Sequence, residues 1–157
     1  MTEFPARRFA ADADVAHVGE GLLKCTLPRE EWTHEAHLAA TIYLLICRPD
    51  IDLDAELPGI IRRYNESVGG VNDDAQGYHE TITRTFLRGA RLFLSEADAR
   101  DGLADLVNQF IHSPMGRRDW PFRFYSRKRL FSVDARSHFV EPDIADLPWL
   151  SPLRAGC

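Results

Sequence analysis

The sequence predicts an all-α protein: a single-domain bundle of four main helices with short extra helices and an extended, Pro-rich C-terminal tail. Three observations carry that expectation. Apolar residues recur at the helical period in four windows, about 33–48, 54–68, 78–94 and 101–112. No window alternates apolar and polar residues as a half-buried strand does. Helix-stop signals (Pro49, Gly69-Gly70 and Ser113-Pro114) follow three of the four windows.

The elements follow in order. Residues 1–11 read as a loose start, and a short helix is expected over 12–19. The stretch from Cys25 to Trp32 contains Pro28 and leads to Thr33, whose hydroxyl suits an N-cap. The first main helix, 33–48, stops before Pro49 because a proline disfavours the α conformation in the residue preceding it. The second, 54–68, takes Asp54 as its cap and Pro58 in its first turn, where a missing N–H costs little. A polar loop, Val71–Gly77, feeds the third helix, 78–94, and Ser113-Pro114 closes the fourth, 101–112. Short helices are expected after Ser126 and Ser132. The tail, 135–157, carries Pro142, Pro148 and Pro152 and is expected to pack on the bundle.

At 157 residues the chain has the size of one domain with a substantial core. A formal net charge of −5 argues against nucleic acid or an anionic membrane as a partner. The basic-aromatic stretch Arg117–Arg129 fits no nucleic-acid motif and reads as aromatics clamped to the bundle, with an arginine reaching an anionic small molecule favoured over nucleic acid. Cys25, Cys47 and Cys157 are sparse, odd in number and without C-x-x-C spacing, so they form no disulfide framework. The longest apolar stretch, Ala36–Cys47, falls short of the roughly 20 residues a bilayer-spanning helix needs. The expected setting is cytoplasmic. The expected partners are a small-molecule ligand and a second copy of the chain in a homo-oligomer.

The chemistry concentrates in three histidines. A helix turns about 100° per residue, which puts His34 and His37 on one side near the start of the first main helix. Between Glu35 and Arg48 that helix carries no charge, the mark of a buried, central element. On the third helix His79 shares a face with Ile82, Thr83, Phe86, Ala90 and Phe93. Glu80 falls on the solvent side with Arg84. Burying an imidazole without partners costs on the order of 1–3 kcal/mol. The three rings therefore either hydrogen-bond locally, ligate a metal or line a pocket. His17, His112 and His138 show no partner pattern.

The leading expectation is a small-molecule enzyme whose pocket lies between the first and third main helices. His34, His37 and His79 supply acid–base groups or hold a divalent metal (Zn, Fe or Mn). Asn65, Tyr78 and Thr83 orient a polar substrate, with Tyr125 and Arg129 of the basic-aromatic stretch as further binding candidates. A lyase, isomerase or hydrolase is the reaction class this implies. H-E-A-H is not the zincin H-E-x-x-H, no G-x-S-x-G is present, and the Gly-rich loop has no phosphate-binding spacing. Cys47 reads as a packing residue. The alternative is a non-catalytic ligand-binding or oligomerising helical domain whose histidines are structural.

Three blocks stand out together: Trp32-Thr33-His34-Glu35-Ala36-His37-Leu38, Gly77-Tyr78-His79-Glu80-Thr81-Ile82-Thr83, and Tyr125-Ser126 through Leu130-Phe131-Ser132. With Arg63-Tyr64-Asn65 between the first two, the chain over roughly residues 30–148 resembles a group of small helical bacterial proteins of unassigned function. The resemblance implies that the two histidine blocks form one site. It implies no mechanism.

Overall fold

Helices bury their apolar stripes against one another in a computed structural model that describes residues 8–148. The elements are α1 (Asp12–Lys24), α2 (His34–Cys47), α3 (Leu53–Ser67), α4 (Glu80–Glu96), α5 (Leu103–His112) and two short helices, α6 (Arg127–Leu130) and α7 (Val133–Ser137). Single 3-10 turns sit at Arg29–Glu31, Pro114–Gly116 and Trp120–Arg123. No strand occurs among the described residues. None of the described helices is long and apolar enough to cross a membrane.

Thr33 caps α2 as its chemistry dictates, its Oγ1 accepting from the Ala36 N–H at 3.2 Å. The helix lies against α1, α4 and α5, and Ala36, Leu38, Ala39, Ala40, Ile42, Tyr43 and Leu44 are buried along it. Its far end emerges from the core. Ile46 and Cys47 are exposed and Leu45 is only partly buried, so Cys47 is not the packing residue expected.

Four sequence expectations need correction. The first helix runs on through Gly19 and Gly21 to Lys24, because Val15, Val18 and Leu22 form an apolar stripe buried against α2 and α3. The chain start is not loose as far as residue 11. Phe9 is buried, and both its backbone groups bond the buried Asn108 side chain at 2.9 Å. Residues 1–7 and 149–157, including Pro152, lie outside the described residues. Asp52, not Asp54, stands at the N-cap of α3, so Pro58 falls in the second turn. There its missing N–H leaves the Asp54 carbonyl without an intrahelical partner. Arg84 of α4 fills the gap, its Nη2 donating to that carbonyl at 2.7 Å. The Asp54 carboxylate also accepts from Arg84 and Arg91, which laces α3 to α4. Finally, His79 is not a residue of the α4 face but its N-cap, with extended backbone.

Helix α4 is the shared wall of two apolar clusters. One face meets the main core. The other carries Ile82 and Phe86 toward a smaller cluster built on Trp120, Phe124, Tyr125 and Leu130. The basic-aromatic stretch thus buries three of its aromatics, while Arg127 stacks over the rings of Phe122 and Phe131.

Candidate functional site

Two cavities meet where the starts of α2 and α4 adjoin. The first, of about 300 Å³, is mostly apolar: Leu22, Leu38, Leu44, Leu57 and Phe86 are among its walls, with His34, His37, Thr41, Thr83 and Arg118 as its polar members. The second, of about 510 Å³, is walled by Asn65, Gly70, Val71, Gln76, Gly77, Tyr78 and His79. Trp32, His37, Ile61, Ile82 and Thr83 line both, so the two form one cleft with His37 at the partition.

Each histidine is fixed by a backbone carbonyl, and that identifies its tautomer, because a carbonyl oxygen only accepts. His37 Nδ1–H donates to the Thr33 carbonyl at 2.7 Å. His34 Nε2–H donates to the Gly116 carbonyl at 2.8 Å. His79 Nε2–H donates to the Leu130 carbonyl at 2.7 Å. The opposite nitrogens differ in fate. His79 Nδ1 accepts the Ile82 N–H at 3.1 Å as a helix cap, so both of its nitrogens are engaged. His37 Nε2 and His34 Nδ1 make no hydrogen bond among the described residues. No fully buried side-chain nitrogen or oxygen there lacks a partner, so both lone pairs are accessible.

Electrostatics keeps the rings neutral. Burial pushes His37 down to about 4, with His34 and the Arg118 guanidinium adding to the shift against the Thr33 hydrogen bond. Burial also lowers His34, where the Gly116 carbonyl opposes it and Arg118 reinforces it. His79 is lowered by burial, partly offset by its bond to Leu130. At neutral pH the cleft presents two imidazole acceptors and no imidazolium.

The rings are held from their sides as well. Trp32 lies on His37 with centroids 3.7 Å apart, and Phe86 meets His34 edge-on at 5.3 Å. Trp32 is the residue before the cap and His37 the fourth of the helix, the two positions that staple a helix start. Gly116 gives His34 its anchor. A Cβ there would stand 2.2 Å from the Phe110 carbonyl oxygen, so only glycine fits the close approach.

The loop before α4 is built rather than slack. Asn72 Oδ1 accepts from Asn65 Nδ2 and from the Tyr78 N–H, both at 3.0 Å, and Asn72 Nδ2 donates to the Arg62 carbonyl. Gly77, at φ +84°, makes the turn into His79. Tyr78 is buried and donates its hydroxyl to Glu80, which also accepts from Arg84. Burial and the Glu80 contact raise the phenol well above its ordinary range, so Tyr78 stays protonated. Glu80 keeps the ion pair with Arg84 that their spacing predicts, but it is only partly exposed.

Among the sequence candidates, then, His34, His37 and Thr83 line the first cavity, and Asn65, Tyr78 and His79 line the second. Tyr125 and Arg129 are in neither wall. The Tyr125 hydroxyl donates to the Val140 carbonyl, and Arg129 Nε donates to the Glu141 carbonyl. Trp32, Phe86 and Arg118 are the members that sequence reasoning missed. Trp32 had a local signal in its staple position. For Arg118 the stretch pointed only to some arginine reaching an anion, since the tertiary fold alone carries this one some eighty residues back to α2. Among the described residues no group of three or more His, Cys, Asp or Glu is arranged to hold a metal ion. His79 has no lone pair to offer one. No protein-family model, curated protein or solved structure matches the chain, so the reading of this cleft rests on its geometry.

Proposed function

We propose that the cleft is the active site of a small-molecule enzyme that works by proton transfer, with His37 Nε2 as general base and His34 Nδ1 as its partner. The supporting observation is the contrast between the histidines. A structural imidazole spends both nitrogens on the protein, as His79 does. His34 and His37 spend one each and leave the other open on an apolar cavity. A locked tautomer with its lone pair exposed in a low-dielectric site is what a general base requires.

In this reading the substrate enters with an acidic X–H near His37 Nε2, and the proton passes to that nitrogen. The imidazolium is held by the Thr33 carbonyl on Nδ1–H and returns the proton, to another atom of the same skeleton in an isomerisation or to the departing group in an elimination. Elimination and isomerisation fit that cycle directly, and hydrolysis fits if His37 activates a water. His79 is a positioning residue, since it fixes the start of α4 and with it Ile82 and Thr83. Asn65, Tyr78 and Thr83 orient the polar end of the substrate. A divalent ion (Zn, Fe or Mn) would find His34 and His37 as its two protein ligands, with tautomers already set by carbonyls. Elemental analysis of untagged protein reads that directly.

The test is turnover across a panel of small hydroxy acids, enolisable ketones and esters. The expected result is a substrate whose turnover falls by 10²-fold or more in His37→Gln while the helical circular dichroism is unchanged. Turnover indifferent to both His37→Gln and His34→Gln overturns the assignment. The second reading, a ligand-binding domain without chemistry, has His79 in its favour, and it predicts binding with no turnover.

A further inference from the structure

The cleft also carries a charge signature. The chain has 24 Asp and Glu against 19 Lys and Arg, yet none of the described residues lining either cavity is acidic. Each cavity has one cation instead: Arg118 in the first and Arg29 in the second. Arg118 sits close enough to both open imidazoles to disfavour their protonation. The neighbouring Arg117 pairs with Asp119, whereas among the described residues the Arg118 side chain forms no ion pair or hydrogen bond. An exposed guanidinium at the edge of an apolar chamber, with no carboxylate paired to it among the described residues, is a ready partner for an anionic ligand.

Deepening the reading of the cleft as a small-molecule site, we infer that its ligand is an amphipathic monoanion. A carboxylate is held by Arg118, an apolar body fills the first cavity, and a donor group faces His34 and His37. The chamber sets the size. It is about twice the ~150 Å³ that accommodates benzene, which suits an aryl or branched alkyl acid of about a dozen heavy atoms. The imidazoles set the charge: as neutral acceptors they offer nothing to an anion, so the carboxylate belongs at Arg118 and the donor belongs at the rings.

The experiment compares three probes with one body: 3-phenylpropanoate, 3-phenylpropanol and 3-phenylpropylamine. Each is titrated into the full-length protein near pH 7.5 and followed by amide and histidine NMR shifts. The expected order is acid over alcohol by at least tenfold, with the amine weaker still. The shifts should be confined to the walls of the first cavity, on α1 to α4, and to Arg118. Arg118→Met, at an exposed position, should bring the acid down to the alcohol's affinity and leave the alcohol unchanged. Acid and alcohol binding equally in the cleft would overturn the anion assignment while leaving the cleft as a binding site. An acid preference that survives Arg118→Met would overturn Arg118 as the anchor. If none of the three probes shifts the cleft at about 10 mM, both this inference and the small-molecule reading fall. Loss of turnover in His37→Gln is read separately and does not depend on any of these outcomes.

Discussion

His37 differs from His79 by one hydrogen bond, and the difference separates a reactive ring from a structural one. Both are desolvated, and both donate to a carbonyl. Only His79 uses its second nitrogen on the chain, so its removal should register as stability. His79→Ala forfeits the cap and the tie to Leu130, a loss of roughly 1–3 kcal/mol in urea unfolding. His79→Asn restores a capping oxygen and should recover part of it. Equal losses for the two variants would mean the Ile82 bond contributes nothing. His37→Gln should instead leave stability at pH 7.5 within about 1 kcal/mol of the parent, because its open nitrogen holds nothing and the glutamine amide can still donate to the Thr33 carbonyl, so that only the Trp32 ring contact is lost.

The same depressed pKa values fix a pH dependence. His37 titrates at about 4 in the folded protein and near 6.5 unfolded, so between those values the unfolded chain binds the extra proton. The contribution is whole above about 6.5 and is lost as pH falls toward 4. His34 and His79, also lowered, act in the same direction. The paired carboxylates Asp54 and Glu20 lose their contribution only at lower pH, below their ordinary values near 4. Stability measured from pH 7.5 to 5 should therefore fall, and His37→Gln should flatten that slope. An unchanged slope in the variant would show that His37 titrates normally.

At the scale of elements, α2 is the helix on which both the core and the site depend. Its apolar run was plain in the sequence, and so were Thr33 as cap and the shared side of His34 and His37. Burial along it was read less well. A helix without charges looks buried on every side, yet Ile46 and Cys47 are exposed and Leu45 is only partly buried. Leu44 is fully buried and lines the cavity. Leu44→Ala should cost roughly 2–5 kcal/mol. Leu45→Ala should cost clearly less, and the reverse order in chemical denaturation would mean the helix is rotated from the orientation described. The start of α4 was misread for a definite reason. A histidine followed by a helical pattern counts as helix by periodicity alone, whereas its cap geometry depends on Leu130, fifty-one residues away. Pro58 was misplaced similarly, since the acceptor it leaves open is satisfied by Arg84 from another helix.

Across the whole molecule, the all-helical architecture followed from local signals, while the cleft followed from packing that no local signal encodes. Gly116 and Arg118 come to α2 from beyond α5, and only there do they lock His34 and set the charge of the first cavity. The cleft's chemistry depends on one state: at neutral pH His34 and His37 are uncharged, in opposite tautomers, with His34 Nδ1 and His37 Nε2 free. Long-range proton–nitrogen NMR of the imidazoles, titrated from pH 8 to 4, tests it most directly. The expected result is Nε2–H for His34 and His79, Nδ1–H for His37, and a His37 ring still neutral at pH 5. A His37 that carries its proton on Nε2, or that titrates near 6.5, would contradict it.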